Sequence, residues 1–71
     1  FLIELFERRI EDRPSDAQSW ATLSFLYYQA DDNESALDTL DRGSKTVPEF
    51  APLATCVADN IQNDRSPDEG C

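Results

Sequence analysis

The sequence predicts an all-α fold: four short antiparallel helices arranged as a helix-turn-helix repeat. Three observations predict it. Apolar residues recur at intervals of three and four, first Trp20, Leu23 and Tyr27, then Ala36 and Leu40. That spacing puts each set on one helical face. Prolines and short polar clusters separate the periodic stretches, at Pro14, Asp31-Asp32-Asn33 and Pro48. The pattern also recurs at a period of 34 positions, pairing Pro14 with Pro48, Phe6 with Leu40, Leu23 with Val57 and Ser24 with Ala58.

The first helix is expected over roughly Phe1 to Asp12, with Leu2, Ile3, Phe6 and Ile10 on its apolar face. Pro14 ends it, because the residue before a proline avoids helical angles. Asp16 is a candidate N-cap for a second helix over roughly Ala17 to Ala30. Asp32 is expected to cap a third over roughly Asn33 to Thr46. Asp38 with Arg42 and Asp41 with Lys45 form i,i+4 pairs on its wet face, and Glu4 with Arg8 does the same on the first helix. Pro48 ends the third helix. Pro52 is tolerated in the first turn of a fourth, which runs to about Asn63. The chain therefore divides into a helical repeat domain, 1–63, and a polar C-terminal tail, 64–71.

Trp20, Leu23, Ser24 and Tyr27, followed by Ala36, Leu40, Gly43 and Pro48, resemble the tetratricopeptide repeat, W-x2-L-G-x2-Y, then A-x3-F, then P. The resemblance covers about two periods. It implies a piece of an α-solenoid in which paired helices approach closely at small residues. Ser24 stands for the usual Gly and Gly43 for the usual Ala; Ala54 stands where Trp would be, and Arg9 where a small residue would be. Gly43 should weaken its helix by roughly 1 kcal/mol relative to Ala. In register, the chain opens on the second helix of one repeat and closes on the first helix of another. Such repeats bury a core only against neighbours. With no initiator Met, the chain is expected to be cut from a longer solenoid or processed. Its ends are then expected to be covered by the rest of that solenoid or by other copies.

The resemblance also implies where a ligand would lie, since the first helix of each repeat lines a concave groove. Carried onto this register, the groove positions are Gln18, Ala21, Phe25, Tyr28 and Gln29, with Thr55, Asp59 and Gln62 from the last helix. None is basic, which argues against an acidic peptide tail as ligand. For Phe25 and Tyr28 the alternative is burial against the neighbouring helix.

Composition narrows the function. Seventy-one residues allow one domain. A net charge of -9 and a pI near 4.1 disfavour nucleic acid and anionic membrane surfaces. No stretch approaches the ~20 apolar residues of a membrane span. There is no histidine, so Cys56 and the serines lack the usual general base. Two cysteines without histidine do not complete a tetrahedral zinc site. The Asp31-Asp32-Asn33-Glu34 cluster lacks the spacing and mid-loop Gly of a calcium loop. Two glycines do not make a phosphate-binding loop. No enzyme activity, metal or cofactor is expected. The expected partner is a protein or peptide, or other copies of the chain.

Other residues bear on partners and compartment. Leu2, Ile3, Phe6 and Ile10 at one end, and Leu53, Val57 and Ile61 at the other, are candidates for self-association. Two periods nearly fill the chain, so copies could join head to tail as an oligomer or filament. Asn33-Glu34-Ser35 matches an N-glycosylation acceptor, making Asn33 a modification candidate on an inter-helix turn. Cys56 and Cys71 are disulfide candidates, because the tail is long enough to fold back along the last helix. A buried thiol at Cys56 with a loose Cys71, or a bond between copies, are the alternatives. The acceptor and the cysteine pair lean the expected location to a periplasmic or secreted setting, with the cytoplasm as the alternative.

Overall fold

A computed structural model describes all 71 residues. Helix α1 spans Leu2–Asp12, α2 Ala17–Gln29, α3 Asn33–Thr46 and α4 Ala51–Gln62, with a short 3-10 turn at Pro48–Phe50 before α4. The chain is all-helical, and its consecutive helices form a helix-turn-helix repeat arrangement. Turns of a few residues force neighbouring helices antiparallel. α2 packs against both α1 and α3, and α4 packs against α3.

The exits of α2 and α4 are built alike. At the end of α2, Asp31 takes a left-handed φ of 64°. The Asp32 N–H then reaches the Tyr27 carbonyl at 2.9 Å and the Asp31 N–H the Tyr28 carbonyl at 3.1 Å. This is the Schellman arrangement, which satisfies carbonyls that the helix end would leave unpaired. Asp32 at once caps the next helix, its carboxylate accepting from the Ser35 N–H at 3.1 Å. At the end of α4, Asp64 has φ 56° and the Arg65 N–H meets the Asn60 carbonyl at 2.8 Å. The second exit makes the same turn, but Ser66-Pro67 follows and no helix forms.

The core is Ile10, Trp20, Leu23, Ala36, Leu40, Val47, Phe50, Ala54 and Ile61. The apolar residues expected on α2 and α3 thus meet as one cluster, with Tyr27 packed partly buried against it. Trp20 is its hub. The indole N–H donates to the Pro14 carbonyl at 2.8 Å, fixing the α1–α2 turn, and the Arg42 guanidinium stacks 5.6 Å from the ring centroid. Buried Ser24 and Thr39 satisfy their hydroxyls on the carbonyls of Ala21 and Ser35, at 2.7 and 2.8 Å. No buried side-chain polar atom lacks a partner. That is what a small core needs, since an unpaired buried polar group costs about 1–3 kcal/mol.

Asp38–Arg42 and Asp41–Lys45 close at 3.7 and 2.9 Å, but Glu4 and Arg8 form no ion pair. Exposed pairs gain little in water, so holding two long side chains together is only marginally favourable. On α1 it is Arg9 that finds a partner, stacking 5.1 Å from the Phe6 ring centroid. The Tyr27 hydroxyl donates to Glu7 and ties α2 to α1. This bond, and then burial, push the Tyr27 phenol up to about 12. Asp16 occupies the N-cap of α2, and its carboxylate accepts the Ser19 hydroxyl at 2.8 Å. That bond is the main reason its carboxyl lies below the usual range.

Candidate functional site

A cleft of ≈ 350 Å³ runs between α2, α4 and the C-terminal segment. Ala21, Phe25 and Leu26 line it from α2, Leu53 and Val57 from α4, and Pro67, Asp68 and Cys71 from the tail. Phe25 and Leu53 stay 40% and 41% exposed, so part of the apolar lining is open to solvent. Phe25 also leans on Tyr28, ring centroids 6.4 Å apart. Volume and apolar character suit one or two large side chains of a ligand.

The electrostatics follow from the helices themselves. Between Asp16 and Asp31 no residue is charged, and α4 carries only Asp59. The six cations are Arg8, Arg9 and Arg13 on α1 and its exit turn, Arg42 and Lys45 on α3, and Arg65 in the tail. Arg65 is already engaged, 2.8 Å from Asp59 and 3.9 Å from Glu69. The cleft is therefore a cation-free surface on a strongly anionic molecule, with Asp68 as its only charged lining side chain.

The expected groove residues do not all converge. Ala21 and Phe25 line the cleft, and half-buried Tyr28 supports Phe25. Gln18 and Gln29 are exposed. Thr55 and Gln62 border a different hollow on the α3 side of α4, together with Leu37, Ser44 and Ala58. Asp59 is exposed and tied to Arg65 and Asn63. The α4 side of the cleft is instead formed by Leu53 and Val57, which the sequence reading assigned to an end surface. The cause is the breadth of the apolar stripe on α4. Ala54 and Ile61 take the core, Leu53 and Val57 take the α2 flank, and Thr55, Asp59 and Gln62 stay exposed outside the cleft.

The other self-association candidates divide by burial. Ile10 and Ile61 lie in the core and offer no outward surface. Ile3, Phe6 and Val57 are half-buried, which leaves Leu2 and Leu53 open. Leu5, which the apolar pattern of α1 did not include, is exposed as well. Asn33 is exposed at the first position of α3. No group of three or more potential metal ligands forms, and no helix is long and apolar enough to cross a membrane.

Cys56 and Cys71 are joined by a disulfide, with Cα atoms 6.1 Å apart. The segment between α4 and Cys71 is organised by Asn60, which the sequence reading did not single out. Asn60 is 4% exposed. Its amide donates to the Pro67 carbonyl at 3.0 Å and the Glu69 carbonyl at 2.7 Å, and its carbonyl accepts from Arg65 Nε at 3.2 Å. Pro67 is buried beside it. One signal was legible: an Asn set between Val57 and Ile61 on an apolar flank must find partners once buried. Comparison of the chain with known protein families, curated proteins and solved structures finds no match.

Proposed function

We propose that this chain is a non-enzymatic protein–protein interaction or scaffold module, built from tetratricopeptide-like repeats, that grips a peptide segment in the α2–α4 cleft. The observation that carries the reading is the open apolar lining, Phe25 and Leu53, on a face without a single cation. The chain as a whole carries a net charge of -9. The partner it suits is a neutral or basic segment with one large apolar or aromatic side chain as anchor. Long-range attraction would speed encounter, and burial of the anchor would supply the affinity.

The test is fluorescence anisotropy with a labelled, lysine-rich amphipathic peptide carrying one phenylalanine. The reading expects saturable binding that Phe25→Ala and Leu53→Ala each weaken by about tenfold or more, the scale of losing an apolar anchor. Asp38→Asn, on the far face of α3, should leave it almost unchanged. Equal weakening by all three substitutions would reduce the interaction to bulk charge and sink the reading.

A second reading, self-assembly as a structural subunit, is favoured by the α1 surface, where Leu2 and Leu5 are 51% and 39% exposed. Exposed apolar patches mark contact sites. Added salt should then strengthen association by screening the repulsion between copies. Light scattering across concentration and salt tests this, and a particle that stays monomeric throughout contradicts it.

A further inference from the structure

We propose that the Cys56–Cys71 disulfide is a redox latch, whose substrate is a dithiol reductant and whose reduction releases the 64–71 segment from the α2–α4 cleft. The segment is bound as a ligand would be. Pro67 is buried and lines the cleft, and two of the segment's carbonyls, those of Pro67 and Glu69, are held by the Asn60 amide at 3.0 and 2.7 Å. Arg65 adds exposed contacts to Asp59 and Glu69. The same apolar surface that would take a partner's anchor is thus partly covered by the chain's own tail.

The bond decides whether the tail stays. Ordering a backbone residue costs about as much as one net hydrogen bond returns. A tail held by a few hydrogen bonds and one buried proline is therefore near balance by itself. The disulfide closes a loop with a sequence separation of 15. Closure of that length raises the docked population on the order of a hundredfold. The helices stand apart from this balance, because their core is Trp20, Leu23, Leu40 and Phe50 and includes no tail residue.

The chemistry is thiol–disulfide exchange. Cys71 is exposed and Cys56 is half-buried, so the reductant's thiolate attacks the Cys71 sulfur and Cys56 leaves as a thiolate that takes up a proton. The reductant's second thiol, as thiolate, then attacks its own sulfur in the mixed disulfide, and Cys71 leaves and is protonated. Two electrons and two protons pass to the chain, and the reductant becomes a disulfide. The Asn60 amide and the Val57 flank are then open to an incoming segment. This deepens the interaction reading by naming its control. Tail release is measured without any ligand, so its failure leaves peptide binding in the oxidised chain to stand or fall separately.

The experiment is amide hydrogen exchange by mass spectrometry on the full chain, oxidised and then reduced with dithiothreitol. Helix content is followed by circular dichroism and open apolar surface by an anilinonaphthalene dye. On reduction, protection of the Glu69 and Cys71 amides should fall at least tenfold, dye fluorescence should rise and helix content should hold. Cys71→Ser should behave as the reduced chain without any reductant. Unchanged tail protection overturns the proposal, since Asn60 and Pro67 would then suffice. Loss of helix content in both the reduced chain and Cys71→Ser also overturns it, because the bond would then be a staple for the whole fold.

Discussion

Gly43 on α3 and Trp20 on α2 touch so closely that a Cβ on Gly43 would lie 3.0 Å from Cγ and Cδ2 of the indole. Phe50 closes the other side, its Cε2 2.9 Å from the same point. The glycine that departs from the expected alanine is thus matched to two rings. A bare helical surface there lets α2 and the Pro48–Phe50 turn press onto α3.

Gly43→Ala should therefore destabilise the chain, although the same change in an exposed helix would stabilise it by about 1 kcal/mol. Overpacking a well-filled core costs about 1–3 kcal/mol. A net loss of about 1 kcal/mol in urea unfolding is expected. A gain would show that the rings shift freely and that the close contact is not needed.

Asp31→Gly should act in the opposite direction. Asp31 holds a left-handed φ that glycine adopts without strain, and no side-chain hydrogen bond of Asp31 would be lost. The substitution should stabilise by about 0.5–1 kcal/mol, raising the thermal midpoint by a few degrees. A lowered midpoint would mean that the carboxylate contributes something beyond the turn.

Tyr27 predicts a stability change at high pH. Its folded-state pKa, about 12, lies above the ordinary value near 10. The folded chain therefore holds this proton more tightly than the unfolded one. The contribution is fully present below about pH 10 and is lost as pH rises through about 12. Tyr27→Phe should cost about 0.5–1.5 kcal/mol at neutral pH and make the decline from pH 10 to 12 shallower. Parallel pH profiles for the two proteins would contradict the Glu7 bond.

The helices were legible because their signals are local. Trp20, Leu23 and Tyr27 fix a face by spacing alone, Asp32 announces a cap, and Pro14 and Pro48 mark the stops. Phe50 was not legible: between two prolines it reads as loop, yet the 3-10 turn buries its ring in the core. The rotation of α4 was not legible either. Its stripe is wide enough to face α3 or α2, and only packing chooses Leu53 and Val57 over Thr55 and Gln62 for the cleft. The tail reads as polar by composition. Its docking depends on Asn60 and Pro67 meeting after the α4 exit turn, a relation that no short-range pattern encodes. The Cys56–Cys71 bond was one of several readings of two cysteines until the chain's path brought them together.

The central claim is that a partner segment seats between α2 and α4. Backbone amide shift mapping of the isotope-labelled, oxidised chain, titrated with the lysine-rich phenylalanine peptide, tests it most directly. The account predicts shifts concentrated at Ala21, Phe25, Leu26, Leu53 and Val57, with little change at Asp38, Asp41 and Lys45 on α3. Shifts spread over the acidic surface of α3, or none along the α2–α4 cleft, would contradict it.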